Sequence, residues 1–241
     1  MSHILFIRLA GPMQSWGVMS RFSRRDTGKE PSKSGVIGLI CAALGISRED
    51  DEHPDFLELT KAKFGIRVLR GGVLQSDYHT AQNIAIANSE RRQDGTYKTK
   101  GTELSTRFYL ADADFVAAIE SDDRKLLERV HTALKNPVWQ LFLGRKAFVP
   151  HLPPYVRDEF AIIAGSDLHT ALGDGGVVER LCEAMPYKAF DKDQRLVIED
   201  ENGSEIRQDV PLSFAERRFT IRRVRTTFAR TTGGEKGGSV S

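Results

Sequence analysis

The chain has 241 residues, of which 40% are hydrophobic and 28% are charged. This composition supports one large domain, or a domain with an extension, and excludes a disordered tail, a collagen-like repeat and a small disulfide scaffold. Cys41 and Cys182 form no Cys-x-x-Cys motif, so we expect buried thiols in a reducing, cytoplasmic compartment rather than a disulfide or a zinc site. We expect no membrane contact, because no apolar run reaches about twenty residues and no basic region precedes the first apolar stretch.

Charge is nearly balanced overall, at +2, but it is unevenly distributed. Residues 1–48 and 217–230 are rich in lysine and arginine, whereas residues 49–58 are acidic. Local basic stretches in a nearly neutral chain are typical of a protein that holds a polyanion on one face. An ordinary solvated surface is the alternative for each stretch taken alone.

The first predicted element is a strand over residues 4–9, which is apolar on both faces and therefore central in a sheet. A long loop follows it, and a serine, Ser32 or Ser34, then caps a helix that stops at Gly45. Apolar periodicity and turn signals predict the next elements, in chain order a short helix over 56–59, strands over 64–68, 73–83, 108–110 and 115–119, and a helix over 122–136.

The order strand, helix, strand, strand, helix, strand matches a split βαβ unit. We therefore predict an α+β fold with a ferredoxin-like (RRM-like) core over residues 1–150, whose last strand ends just before Leu143. A basic, glycine-containing insertion over about 84–104 has almost nothing to bury and is predicted to protrude as a hairpin. Residues 151–231 are predicted to form an antiparallel β appendage with strands over 196–198, 206–212 and 219–228, followed by a flexible tail over 232–241.

Several catalytic and cofactor motifs are missing from the sequence. Residues 28–35 contain the residue types of a phosphate-binding loop, but in the wrong order. The six histidines show no metal-ligand spacing, and no Gly-x-Ser-x-Gly nucleophile motif occurs. The sequence therefore predicts no catalytic residue, no cofactor and no metal site.

Three clusters combine aromatic, basic and glycine residues. The first is residues 10–17, followed by several arginines; the second is residues 77–80; the third is residues 143–146. Aromatic rings stack on unpaired bases while arginine and lysine bind phosphates, so the three clusters together favour single-stranded RNA. For Trp16 a core anchor is the alternative interpretation, and for the second cluster an ordinary paired strand face.

Five sequence blocks, at residues 8–17, 34–46, 77–80, 109–115 and 142–146, resemble the CasD family of type I-E CRISPR Cascade subunits, in the RAMP superfamily. The resemblance is close over about residues 3–155 and weaker over 211–219. It implies a non-catalytic RNA-binding subunit that holds the 5′ handle of the CRISPR RNA and contacts the adjacent backbone subunit and the large subunit. Target DNA would be met through the complex, in antiviral defence, and the protruding insertion would be a thumb that folds over the guide.

The predicted RNA-binding residues combine positions that match the family with the basic residues near them. They are Met13, Gln14, Trp16, Arg21, Arg24, Arg25, Lys33, Tyr78, His79, Arg107, Arg145 and Lys146, with Arg91, Arg92, Tyr97, Lys98 and Lys100 on the thumb.

The alternative function is a metal-independent endoribonuclease that processes CRISPR repeat RNA. In that case Tyr78, His79 and a nearby lysine would act as acid–base groups. The type I-E resemblance argues against it, because a separate subunit processes the RNA in those complexes. A protein-interaction scaffold without RNA contact fits the three clusters poorly.

Overall fold

The computed structural model describes residues 1–17, 23–85, 93–96, 99–173, 177–183, 191 and 193–230. The strands are β1 (His3–Ala10), β2 (Met13–Gln14), β3 (Arg24–Arg25), β4 (Lys63–Arg70), β5 (Val73–Ala85), β6 (Thr99–Ala111), β7 (Asp114–Ser121), β8 (Ile162–Ala164), β9 (Asp193–Glu199), β10 (Glu205–Ser213) and β11 (Arg218–Arg230). The helices are α1 (Lys33–Leu44), α2 (Pro54–Lys61), α3 (Arg124–Lys135), α4 (Asp158–Ala161), α5 (Leu168–Leu172) and α6 (Val177–Glu183). The fold is mixed α+β, as predicted, and none of the helices in these ranges has the length and apolarity to cross a membrane.

The main sheet has a helical layer on each face. Within the described residues it contains seven strands in the order β10-β11-β9-β4-β7-β1-β8, and every neighbouring pair is antiparallel. Leu5 and Ile7 of β1 pack into the apolar cluster that includes α1, α2 and α3. Ile4 and Phe6 pack into the cluster on the other face, with α5 and α6. Strand β1 is therefore buried on both faces, as its uninterrupted apolar sequence predicts.

Both long predicted helices are confirmed, because local capping signals agree with tertiary burial. At the start of α1 the Ser32 hydroxyl accepts a hydrogen bond from the Gly35 amide (3.1 Å), and Gly45 ends the helix with a left-handed backbone (φ 76°). At the start of α3 the Asp123 carboxylate accepts from the Leu126 amide (3.0 Å). The two helices pack against each other.

The prediction of a strand that ends just before Leu143 is wrong. Residues 136–157 contain no strand apart from one isolated bridge, and the outer edge of β1 pairs instead with β8. The reason is tertiary. The amides of Val138 and Trp139 donate to two carbonyls in the last turn of α1, 3.0 and 3.1 Å away. These residues therefore supply partners to a helix end, whose last carbonyls have none within the helix.

The three predicted C-terminal strands are confirmed as β9, β10 and β11, and they continue the main sheet instead of standing apart from it. Strand β9 pairs with β4 on one side and with β11 on the other. The pairing also brings a hydrogen-bond acceptor to a fully buried arginine. The Arg67 guanidinium of β4 donates to the Gln194 side chain of β9 (2.6 Å) and to the carbonyls of Leu172 and Gly173.

A second sheet lies beside the main one and carries the candidate site. Strands β5 and β6 form an antiparallel pair from Val73 opposite Ala111 to Ala85 opposite Thr99. The other edge of β6 pairs with β2 and, further along, with β3. Of the predicted thumb residues, Arg91, Arg92, Tyr97 and Lys98 lie outside the described residues, and Lys100 stands in β6 opposite Ile84.

Candidate nucleic-acid interface

The second sheet presents two chemically different faces, because side chains alternate along a strand and residues directly opposite each other share a face. Asp77 of β5, Arg107 of β6 and Arg25 of β3 form one row across the sheet. His79 and Ser105 form the next row on the same face, and the Arg107 Nε donates to the Ser105 hydroxyl (3.1 Å). We call this side the arginine face.

The opposite side, which we call the aromatic face, holds Tyr78, Thr106 and Arg24 in one row. The Arg24 guanidinium lies 4.6 Å from the centroid of the Phe108 ring, which is a cation–π contact. Tyr78 is 71% exposed, so its ring is open to solvent. Tyr78 and His79, which the sequence analysis grouped together, therefore point away from each other.

Arg145 brings a third segment to the arginine face. Its Nη2 donates to the carbonyls of Phe108 (2.8 Å) and Arg25 (3.4 Å), which ties its loop to β6 and β3. Burial lowers the pKa of Arg145 below its usual value, and the nearby charge of Arg107 lowers it further. Asp77 opposes this decrease in pKa. We call the three arginines gathered here, Arg25, Arg107 and Arg145, the basic cluster. Lys146 follows Arg145 in the same loop and is exposed.

The position of the Arg145 loop is set by its contact with the segment around Ser15. The Ser15 amide donates to the Leu143 carbonyl (3.1 Å), and the Ser15 hydroxyl donates to the Phe108 carbonyl (3.2 Å). Gly144 has a φ of 91°, and a Cβ built there would lie 1.8 Å from the Ser15 carbonyl oxygen. Glycine alone meets both conditions, so it lets the two loops lie directly on each other.

The predicted RNA-binding residues at the start of the chain are interior. Trp16 is 2% exposed, and its Nε1 donates to the Gln14 Oε1 (3.1 Å). The Gln14 amide donates in turn to the carbonyls of Leu9 (3.1 Å) and Ala113 (2.8 Å). Met13 is half-buried against the core. Gln14 and Trp16 are buried, which favours the core-anchor alternative for Trp16.

Both the sequence and the fold are similar to those of known proteins. A model of the family described as CRISPR-associated protein (Cas_Cas5) matches residues 4–225. The chain belongs to the Cas5 family. This Cas5-family protein is 30% identical over 162 residues to the CRISPR system Cascade subunit CasD of Escherichia coli strain K12, across 61% of this chain and 67% of that protein.

Two solved structures resemble the Cas5-family protein over 94% of its length. One is a crystal structure of a Cas protein, which is 35% identical, with a TM-score of 0.67 over 95% of its own chain. The other is a chain of a CRISPR RNA-guided surveillance complex, which is 32% identical, with a TM-score of 0.65 over 90% of its own chain.

Lys33 does not join the basic cluster of this Cas5-family protein. Its side chain is 2% exposed, and its ammonium pairs with Glu199 (3.0 Å). Its backbone amide donates to the Asp209 carboxylate (2.8 Å). Burial lowers the pKa of Lys33 below its usual value, and Glu199 opposes that decrease. Because the N-terminus of α1 packs against β9 and β10, Lys33 serves the fold and is closed to RNA. Arg21, also predicted to bind RNA, lies outside the described residues.

A cavity of about 810 Å³ adjoins the Arg145 loop. Its lining includes small residues on one side of α1, the Trp139 ring and Lys146. The sequence analysis did not select Trp139, which is 47% exposed. A tryptophan that follows Pro137, beyond the end of α3, was the sequence feature that could have indicated it. No group of three or more metal-ligating side chains occurs within the described ranges.

Proposed function

We propose that this Cas5-family protein is a non-catalytic subunit of a Cascade surveillance complex and binds the 5′ handle of the CRISPR RNA. The family match and the similarity to CasD and to a surveillance-complex chain support this function. The observation that carries it is the convergence of Arg25, Arg107 and Arg145, from three separate segments, on the arginine face. In the complex the protein contacts the adjacent backbone subunit and the large subunit, meets target DNA through them, and acts in antiviral defence in the cytoplasm.

The same proposal includes a ferredoxin-like core. The strand order β8-β1-β7-β4, with α1 between β1 and β4 and α3 between β7 and β8, supports that topology. Its fourth strand, β8, then lies beyond residue 150. Residues 1–150 carry the RNA contacts, residues 84–104 form the thumb, and residues 151–231 complete the sheet.

The two faces of the second sheet suit the two parts of single-stranded RNA. The basic cluster binds phosphates, and each one neutralised contributes about −0.7 to the slope of log affinity against log salt concentration. Tyr78 stacks on an unpaired base, which contributes about 1–3 kcal/mol to binding. Because the faces lie back to back, an RNA that meets both must pass around an edge of the second sheet.

Binding of a fluorescent CRISPR-repeat RNA to the full chain, measured over a series of salt concentrations, tests the proposal. Arg107→Ala and Lys146→Ala should each weaken binding and reduce the slope by about 0.7. Tyr78→Ala should weaken binding and leave the slope unchanged, because it removes a ring and no charge. Arg124→Ala is the matched control, since it removes an exposed arginine on α3 that pairs with Glu128. Affinities and slopes that do not differ from that control would contradict the proposal.

The endoribonuclease alternative requires acid–base groups that converge on one phosphate. Tyr78 and His79 lie on opposite faces of β5, so no single phosphate is within reach of both while the strand is formed. Incubation of the protein with labelled repeat RNA in EDTA should therefore leave the RNA intact. Specific cleavage that Arg124→Ala retains and His79→Ala abolishes would favour the alternative.

A further inference from the structure

Asp77 is a carboxylate in the same row as two arginines of the basic cluster. It is exposed on β5 directly opposite Arg107, which is itself opposite Arg25 on β3. The Arg107 Nε donates to the Ser105 hydroxyl. Within the part of the chain that the structure describes, the Asp77 carboxylate has no hydrogen bond and no ion pair. Both of its oxygens are therefore open to a ligand on the arginine face.

A carboxylate in this row opposes the binding of phosphate. Salt-dependent attraction between arginine and phosphate is independent of sequence, so the basic cluster alone would hold any RNA. The negative charge of Asp77 interacts with Arg145: it raises the pKa of Arg145, whereas burial and the charge of Arg107 lower it. An RNA that gives Asp77 only phosphates or base acceptors is therefore repelled there.

An unpaired base supplies the donor that Asp77 lacks. Single-stranded bases expose their Watson–Crick edges, and a carboxylate is a suitable acceptor for an exocyclic amino group such as cytosine N4. Uracil has a carbonyl oxygen in place of that group, and its one Watson–Crick donor, the ring N3–H, lies between two carbonyl oxygens that a carboxylate repels. We propose that Asp77 is a specificity-determining residue that accepts a hydrogen bond from the exocyclic amino group of one unpaired base and disfavours RNA without one. The inference rests on the proposed function, because it requires RNA on the arginine face.

The test compares two unstructured eight-nucleotide RNAs, oligo(C) and oligo(U), by fluorescence anisotropy with the full chain at fixed salt. The wild-type protein should bind oligo(C) about 3- to 10-fold more tightly, the range expected for the net contribution of one ordinary hydrogen bond, because solvent exposure weakens the bond to the carboxylate. Asp77→Ala should bring the ratio to about one, chiefly by tightening oligo(U). Asp122→Ala, which removes an exposed carboxylate in the turn between β7 and α3, is the control and should keep the wild-type ratio.

The possible failures are distinguishable. A wild-type ratio of one, or a ratio that Asp77→Ala leaves unchanged, overturns the role of Asp77 and leaves the proposed function standing. If Asp77→Ala weakens the binding of both RNAs equally, the role of Asp77 is also overturned, because that result indicates that Asp77 only holds the arginines of the basic cluster in position. If neither oligonucleotide nor the CRISPR-repeat RNA binds, the proposed function fails as well.

Discussion

The guanidinium of Arg145 has five donors, and only one of its nitrogens is engaged with the carbonyls of Phe108 and Arg25. The remaining donors are available to a phosphate. Burial and the nearby Arg107 make the positive charge costly in the free protein, as the lowered pKa indicates. An arriving phosphate relieves that repulsion, so the group that ties the loop to the sheet is also suited to bind RNA. Lysine has no planar fork with which to do both.

At the residue scale, the contact between Gly144 and Ser15 gives a sharp prediction. Gly144→Ala should lower the free energy of unfolding by about 1–3 kcal/mol and weaken RNA binding, because the added methyl displaces the Arg145 loop. Urea unfolding and RNA anisotropy measure the two effects. Gly165→Ala is the control: its φ is also positive (73°), but no atom lies within 4 Å of the added Cβ. If both variants keep full RNA affinity, the contact does not position the basic cluster.

At the scale of elements, an ion-pair network around Arg222 holds α1 against β9, β10 and β11. The Arg222 guanidinium makes two hydrogen bonds to Asp209 (2.7 and 2.9 Å), and both side chains are buried. The same carboxylate accepts from the Lys33 amide, and the Lys33 ammonium reaches Glu199. The basic composition of residues 217–230 therefore reflects an internal ion-pair network as well as surface charge.

Removal of one carboxylate from this network should be costly. Asp209→Ala leaves the buried Arg222 without its main partner, so the free energy of unfolding should fall by about 3–5 kcal/mol in urea titrations. Glu58→Ala, which breaks the exposed pair with Lys61 on α2, should change it by less than about 1 kcal/mol. Similar effects for the two variants would mean that Arg222 finds other partners in the folded chain.

Across the whole molecule, an element could be predicted from the sequence when the residues that determine it lie within or next to it. The helices α1 and α3 followed from caps such as Ser32 and Asp123 together with apolar periodicity, which act within a few residues. The strand expected before Leu143 was wrong, because the amides of Val138 and Trp139 bind the end of α1, and nothing in their own segment reveals that partner.

In the candidate site too, the predictions that depended on distant residues were the ones that failed. Arg145 was selected from the third cluster and Arg107 from the family resemblance, and the structure brings them together on the arginine face. Lys33 was misplaced because its partners, Glu199 and Asp209, lie more than a hundred residues further along the chain. The separation of Tyr78 from His79 was predictable, since any strand turns neighbouring side chains to opposite faces.

The pairing of β4 with β9 bears on how the chain folds during its synthesis. The ribosome makes β4 long before Gln194 is available to accept from the Arg67 guanidinium. Until then the backbone edge of β4 is unpaired, and the Arg67 guanidinium lacks the acceptor that Gln194 supplies. Unpaired strand edges can pair with strands of other nascent chains. Non-local pairing of this kind is slow. We therefore expect the yield of folded protein to depend on elongation rate and on chaperone access in that interval.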